Sequence, residues 1–123
     1  MFDHIGIDVA QLEKSVRFYE AALAPLGFRQ ESSDPKAGNA GFGPPGAPIF
    51  WVARANKGTS PLHLAFQART RSAVRQFYEA AMAAGGKDNG KPGLRENYSP
   101  TYYAAFVIDP DGHNVEAVCQ AAE

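Results

Sequence analysis

Hydrophobic and polar residues alternate in two short stretches, one at the start of the chain and one in the middle. In residues 3–9 the apolar positions are Ile5, Ile7 and Val9, and residues 62–67 alternate in the same way. Strand side chains point alternately to opposite faces, so both stretches predict half-buried β-strands. Each is followed by a run with apolar positions three or four residues apart, which predicts an amphipathic helix.

The two stretches are copies of one sequence. His4 opens HIGIDVAQLEKSVRFYEAA, and 59 positions later His63 opens HLAFQARTRSAVRQFYEAA. Self-similarity at a fixed spacing indicates an internal duplication. Strand-like runs and turns rich in Gly and Pro complete each half, which predicts the order βαβββ. We therefore expect an α+β fold and a single domain, residues 1–123, in which modules 1–56 and 57–121 form a curved mixed sheet around a cleft.

Turn and cap residues give the expected boundaries of the elements. Asp8 is placed to cap the first helix, with Gln11 as its partner in a capping box. Thr70 is placed to cap the second helix. We expect residues 55–60 to form a short linker. The segment 87–100 is expected to be a polar loop, with room for a short strand, of a length often used for binding.

Composition narrows the classes of partner. At 123 residues the chain has the usual size of one domain, and its 12 Lys and Arg nearly balance 13 Asp and Glu without a basic run. We therefore expect no nucleic-acid partner. No apolar run approaches the roughly 18 residues that span a membrane, and no secretion signal is evident. The one cysteine, Cys119, predicts a reducing cytoplasm and, on a helix-facing position, a buried and inert thiol.

Alternation also places three possible metal ligands on the non-core faces of their strands. They are His4, His63 and Glu116. Two imidazoles and a carboxylate can hold a divalent ion such as Fe, Zn, Mn or Ni and leave positions open for a substrate. The alternative is that the histidines are surface residues and that Glu116 is exposed or otherwise paired. We expect His113 to be a turn residue and no ligand.

Several other residues could contact a small-molecule substrate. The polar loop and the strand after it offer polar and aromatic groups, and the fourth strand offers large apolar ones. A solvated loop and an ordinary core are the alternatives for these two groups. The candidates are Phe50, Trp51, Arg95, Asn97, Tyr98, Tyr102 and Tyr103.

Four segments together resemble the vicinal oxygen chelate superfamily, which includes glyoxalase I, bleomycin-resistance proteins, extradiol dioxygenases and fosfomycin-resistance transferases. They are DHIGIDV, FYEAAL, PLHLAFQA and FVIDPDGHNVEAV. The resemblance implies paired βαβββ modules whose concave face holds a metal, with ligands at His4, His63 and Glu116. Glyoxalase I has a fourth ligand, a carboxylate on the fourth strand. We expect Phe50 at that place, so the ligand set is more similar to those of the dioxygenases and fosfomycin transferases.

The resemblance implies two possible functions. In the first, a divalent metal binds neighbouring oxygens of a small substrate for lyase, isomerase, dioxygenase or thiol-transferase chemistry, and Glu116 also moves a proton. In the second, a metal-free pocket binds or sequesters a small molecule, as bleomycin-resistance proteins do, using Phe50, Trp51, Tyr102 and the polar loop. A short linker would favour a homodimer, with His4 from one subunit facing His63 and Glu116 of the other.

Overall fold

The structure is a computed structural model that describes residues 2–55 and 61–123. Residues 56–60 of the predicted linker lie outside this description. Module one consists of β1 (Ile5–Val9), α1 (Leu12–Leu23), β2 (Arg29–Asp34), β3 (Asn39–Gly43) and β4 (Phe50–Arg54). Module two consists of β5 (His63–Gln67), α2 (Arg71–Ala83), β6 (Lys87–Leu94), β7 (Tyr103–Ile108) and β8 (Asn114–Cys119).

Each module arranges its four strands in a mixed sheet of the same order. The orders are β1-β4-β3-β2 and β5-β8-β7-β6. The first strand of each module is parallel to the last, and the other neighbouring strands are antiparallel. The predicted α+β fold of two βαβββ modules is thereby confirmed, with the sheet present as two four-stranded halves. In the described part of the chain, β1 and β5 each have a strand neighbour on one side alone.

The apolar core is continuous from one module to the other. Tyr19 of α1 packs edge-on against Phe50 of β4, with ring centroids 4.9 Å apart, and Phe50 packs in turn against Phe66 of β5 at 5.3 Å. The inner side of α2 joins the same core through Val74, Phe77 and Ala81. Within residues 2–55 and 61–123, no helix is long and apolar enough to cross a membrane.

The two helices begin differently, although their sequences are repeats. The predicted cap of α2 is confirmed, because the Thr70 hydroxyl accepts a hydrogen bond from the Ala73 amide at 3.0 Å. The predicted cap of α1 is wrong. Asp8 still lies within β1, paired with Ala53 of β4, so its side chain is too early to reach the first turn. Gln11 occupies the cap position and makes no side-chain capping bond.

The start of α1 is bonded instead by the turn between β7 and β8. The Asp111 carboxylate accepts from the Ala10 amide at 2.8 Å and from the Ser15 hydroxyl at 3.1 Å. Tyr19 of the same helix donates to Asp109 at 2.5 Å. Burial, together with this carboxylate, raises the pKa of the Tyr19 phenol. The turn of module two thus fixes the helix of module one.

His113 follows the same turn and is 1% exposed. Its Nδ1 accepts a hydrogen bond from the Leu62 amide at 3.0 Å, so its Nε2 carries the proton and donates to the Asp8 carbonyl at 3.1 Å. The side chain therefore links the entry of β5 to the end of β1.

The predicted polar loop at 87–100 is mostly a strand. Its first eight residues form β6, which pairs with β7 through two register shifts, between Asp88 and Gly90 and between Gly90 and Gly93. These bulges break the alternation by which a strand is recognised in sequence. The remaining residues of the segment form the turn between β6 and β7. This turn is closed by a hydrogen bond from the Arg95 amide to the Tyr102 carbonyl at 2.7 Å.

Candidate functional site

One face of the module-two sheet packs against α2, and the other carries His63 and Glu116 of the predicted site. Strand pairing places Ala65, Glu116, Phe106 and Gly90 in one row across the sheet, with their side-chain directions on this second face. We call it the open face. It consists of His63, Ala65 and Gln67 of β5, Asn114, Glu116 and Val118 of β8, Ala104, Phe106 and Ile108 of β7, and the glycines of β6.

Glu116 lies at the centre of the open face, bonded on both sides. Its Oε1 is 2.8 Å from His63 Nε2, and its Oε2 accepts from the Tyr102 hydroxyl at 2.5 Å. The glutamate is 2% exposed, whereas 56% of the His63 side chain is exposed. Because a buried carboxylate is costly unless it is hydrogen-bonded, these two contacts explain how β8 accommodates Glu116.

The Tyr102 phenol is held in its protonated form. Burial, followed by the hydrogen bond to Glu116 and the charge of that carboxylate, raises the pKa of Tyr102 to about 12. At neutral pH it therefore acts as a hydrogen-bond donor to the carboxylate. Its ring is stacked edge-on with that of Tyr98, the centroids being 5.0 Å apart, and 62% of Tyr98 is exposed. The two rings form one wall beside Glu116.

His4 does not join His63 and Glu116 within the chain. It directly precedes β1, its side chain is 62% exposed, and its Nδ1 is 2.7 Å from Asp3 Oδ1. Among the described residues, no three His, Cys, Asp or Glu side chains are grouped closely enough to hold a metal ion. The structure thus brings two of the three predicted ligands together.

An apolar pocket of about 520 Å³ lies between the edges of the two sheets. His63 and Ala65 of β5 form part of its wall, so it reaches the open face. The remaining lining is mainly apolar: Phe2, Ile5, Phe28, Ile49, Phe50, Leu64, Phe66 and Gln67.

The residue of module one that corresponds to Glu116 is Trp51, and the expectation of Phe50 was wrong by one position. Gly6 pairs with Trp51 in the first sheet as Ala65 pairs with Glu116 in the second. The ungapped match of GAPIFWV with DGHNVEA also aligns Trp51 with Glu116. A one-residue shift changes the face, since strand side chains alternate. Phe50 accordingly points into the core and is 2% exposed.

Trp51 lies across Gly41 of the neighbouring strand. A methyl group at Gly41 would come within 2.8–2.9 Å of three ring atoms of the indole, so the glycine makes room for it. Tryptophan offers no metal-binding atom, so module one lacks the carboxylate that module two has at the same place. The conclusion drawn from Phe50, that the fourth strand supplies no ligand, holds for Trp51.

The other predicted contact residues divide between the two faces. Tyr103 pairs with Cys119, and its ring lies 5.2 Å from the Arg71 guanidinium of α2, so it belongs to the helix side. Asn97 is exposed in the turn after β6. The Arg95 guanidinium lies over the Phe106 ring at 5.4 Å and therefore reaches the open face.

The sequence analysis missed Phe106. Its ring centroid is 6.3 Å from that of His63, and its position pairs with Glu116. Counting back across the β7–β8 hairpin from Glu116 would have identified it, because paired positions of antiparallel strands share a face.

Comparison with known proteins agrees with this architecture. A model of the Glyoxalase/Bleomycin resistance protein/Dioxygenase superfamily matches residues 1–117. A glyoxalase/bleomycin resistance protein from Albidiferax ferrireducens is 29% identical, with a TM-score of 0.84 over 97% of this chain and 98% of that one. No curated protein matches.

Two further solved structures share the fold at lower identity. A glyoxalase-related enzyme from Fulvimarina pelagi is 22% identical, with a TM-score of 0.72 over 94% of this chain and 84% of that one. A glyoxalase/bleomycin resistance protein/dioxygenase family enzyme from Burkholderia phytofirmans is 18% identical, with a TM-score of 0.72 over 97% and 98%. Because the family model covers nearly the whole chain, the protein belongs to the Glyoxalase/Bleomycin resistance protein/Dioxygenase superfamily.

Proposed function

We propose that this protein is a metal-dependent enzyme of the superfamily, acting on a small molecule with two neighbouring oxygens. The observation that carries the proposal is the pair of His63 and Glu116, an exposed imidazole 2.8 Å from a buried carboxylate on the open face. Imidazole and carboxylate are suitable donors for Zn, Fe, Mn or Ni.

The surroundings of Glu116 fit a bound cation. In the described part of the chain, the ion pairs of this carboxylate include His63 and neither Lys nor Arg. A buried carboxylate without a permanent positive partner is costly, and a divalent ion beside it would offset that cost. His63 and Glu116 would hold the ion, which would supply Lewis-acid or redox chemistry to the substrate.

The third donor in this proposal is His4 of the partner subunit in a homodimer. β1 and β5 are edge strands, and edge strands present unpaired backbone groups for another chain. Four large apolar side chains near these edges are exposed: Phe2 by 83%, Ile5 by 37%, Ile49 by 38% and Leu62 by 43%. Burying them against a second copy would bring the start of β1 to β5 of the partner.

The chain's own residues suit proton handling beside the substrate. Glu116 Oε1 faces the exposed imidazole and is the oxygen available to accept a substrate proton. Tyr102 fixes Oε2 and, being protonated at neutral pH, keeps that oxygen from the same role. Glu116 is 2% exposed and is contacted directly by the Tyr102 hydroxyl, so the access of water to the carboxylate is limited. We also propose that the protein is cytoplasmic. In that reducing compartment the buried thiol of Cys119 would remain free.

A metal-free binding protein is the second candidate. The 520 Å³ pocket is lined mainly by apolar side chains, which suits an apolar small molecule, and His63 and Glu116 are already hydrogen-bonded to one another. The open face would then bind its ligand without chemistry.

Metal content distinguishes the two candidates. Untagged protein is purified without added metal, reconstituted separately with Fe, Zn, Mn and Ni, and analysed by mass spectrometry. We expect about one equivalent per chain, lost in His63→Ala and Glu116→Gln because each removes a ligand. Glu13→Gln, in an exposed position of α1, is the matched control and should retain the metal. Absence of stoichiometric metal under all four conditions would favour the binding protein.

A further inference from the structure

The Arg95 guanidinium occupies a defined place on the open face. It lies over the Phe106 ring at 5.4 Å, and the His63 ring lies 6.3 Å from the same ring. Arg95 is half-buried. A fixed positive charge and the proposed reacting pair therefore both adjoin Phe106.

The backbone of β6 holds this guanidinium. Arg95 Nη1 donates to the Gly93 carbonyl at 2.8 Å, and Nη2 donates to the Lys91 carbonyl at 2.7 Å. A methyl group at Gly90 would come within 3.1 Å of Nη2, and one at Gly93 within 3.2 Å of Nη1. The two glycines of β6 thus leave the space that the guanidinium fills, and its orientation is set before any ligand arrives.

The charge of Arg95 has no carboxylate partner in the described part of the chain. The ion pairs found there join other residues, and the two hydrogen bonds of the Arg95 side chain end on neutral carbonyls. A guanidinium has five N–H donors, so three remain. A permanently charged group that is half-buried, oriented and unpaired is suited to bind an anion through charge-assisted hydrogen bonds.

We propose that Arg95 binds an anionic group of the substrate, a carboxylate or a phosphate. This inference rests on the proposed function, because it takes the open face to be the substrate site. The anion would lie at Arg95 and the reacting oxygens at His63 and Glu116, with an apolar middle part against Phe106. The substrate class is then a small acid with its anionic group at the end opposite the oxygens that react.

Binding of three simple probes tests the inference. Benzoate, phenyl phosphate and benzyl alcohol share an aromatic ring and differ in the group that would face Arg95. Each is titrated into the full-length protein by calorimetry and by NMR of the backbone amides of β6, with and without a chelator. We expect one or both anions to bind and to shift Gly90 and Gly93, and the alcohol to bind at least about tenfold more weakly. If only benzoate or only phenyl phosphate binds, the result identifies the anionic group of the substrate as a carboxylate or as a phosphate, respectively.

Two arginine variants give the comparison. Arg95→Gln should weaken the anion by about tenfold or more, and Arg95→Lys should retain part of the affinity because it keeps the charge. Arg75→Gln is the matched control, since Arg75 also lies over an aromatic ring, that of Tyr103, but on the helix side. It should bind as the wild type does. If Arg95→Gln does not fold, two comparisons still test the role of Arg95. The anion affinity of Arg95→Lys is compared with that of the wild type, and the affinity of the wild type for the anions is compared with its affinity for benzyl alcohol.

Failure of this inference is distinguishable from failure of the metal proposal. Equal binding of alcohol and anions, no binding of any anion, or anion binding that depends on metal and not on Arg95 would overturn the role of Arg95. Anion binding that survives the chelator and is lost in Arg95→Gln supports it even if the protein holds no metal. Metal content, measured separately, tests the proposed enzyme.

Discussion

Both oxygens of the Glu116 carboxylate are engaged, one by His63 and one by Tyr102. The two contacts differ in how easily they can break. Tyr102 donates from a half-buried position and stays protonated at neutral pH, so it holds Oε2 in place. His63 is more than half exposed, so its contact with Oε1 can open without unfolding the sheet. In the proposed mechanism, the reacting oxygen of the carboxylate is therefore Oε1.

Replacing Tyr102 with Phe should change stability in a pH-dependent way. In the folded protein the pKa of Tyr102 is raised from 10.0 to about 12, so its contribution is fully present below about pH 10 and is lost as the pH rises towards about 12. At neutral pH we expect Tyr102→Phe to lower the free energy of unfolding by about 1–3 kcal/mol, because a buried carboxylate loses its donor. Urea unfolding at several pH values measures both effects.

The difference between wild type and Tyr102→Phe should then shrink across that alkaline range. The remaining tyrosines are common to both proteins, so their contributions cancel. Leu94→Ala is the control, since Leu94 is exposed and carries no ionisable group, and its difference from the wild type should stay constant over the same pH range. A difference for Tyr102→Phe that stays constant from about pH 10 to about pH 12 would contradict the assigned contact.

At the scale of secondary-structure elements, α1 depends on a residue far away in the sequence. Asp111 accepts from the Ala10 amide, two residues before the helix, and from the buried Ser15 hydroxyl within it, and its charge lies near the positive end of the helix dipole. Asp111→Ala should therefore lower the free energy of unfolding by about 1–3 kcal/mol, because the buried hydroxyl loses its acceptor. Asp111→Asn keeps an acceptor and should cost less. Equal stability of all three proteins by urea unfolding would show that the contact contributes nothing.

The glycines that follow the two helices are repeats with different tasks. Gly27 has φ 86°, in the left-handed region, and a methyl group there would meet open space. A methyl group at Gly86 would come within 2.8 Å of the Ala81 carbonyl and 2.9 Å of Phe18 Cε1, and closer still to Val107. Gly27 thus serves the backbone, whereas Gly86 serves packing between helices and sheet.

Substitution by Ala and Asn separates these tasks. At Gly27, Asn should be tolerated better than Ala, because Asn adopts the left-handed conformation more readily. At Gly86, Asn should be worse than Ala, because the larger side chain meets more atoms, and Ala itself should cost about 1–3 kcal/mol. Thermal or urea unfolding of the four variants gives the order. The same order of Ala and Asn at both positions would refute the distinction.

Local patterns predicted the elements well where the side chains alternate regularly, and less well elsewhere. Thr70 was found because its cap is local, three residues from its donor. Asp111 could not be found, because it lies 101 positions from the amide that it binds. β6 was largely missed because its glycines and bulges break the alternation. Phe50 was predicted at the position that Trp51 occupies, and this error of one residue assigned the wrong face because strand side chains alternate.

At the scale of the whole molecule, the repeat predicted two equivalent modules but could not predict which edges meet. His4 directly precedes the first strand of module one and His63 begins the first strand of module two, and the alternation of side chains is the same whichever chain completes the sheet. Among the described residues, the modules of one chain meet through α1 and α2, the β7–β8 turn and the aromatic core, and β1 does not pair with β5. In the proposed dimer, the neighbours of His4 would therefore depend on which chains bring these edges together.

Mixing two inactive variants tests whether His4 completes the site across a dimer. His4→Ala keeps His63 and Glu116, and His63→Ala keeps His4, so each alone should lose most of its metal. In a heterodimer of the two, one site combines His4 of the second variant with His63 and Glu116 of the first, and the other site lacks both histidines. An equal mixture, unfolded and refolded together, should thus recover about a quarter of the wild-type metal content if subunits pair at random.

The outcome separates assembly between chains from assembly within one chain. Light scattering should show a dimer for the wild type and for both variants, because the apolar edge residues are unchanged in all three. If His4 bound the ion together with His63 of its own chain, every chain in the mixture would still lack one ligand, and mixing would recover no metal. A monomer that binds one equivalent would equally exclude the shared site. Recovery close to a quarter, with dimers throughout, requires a metal centre built from both subunits.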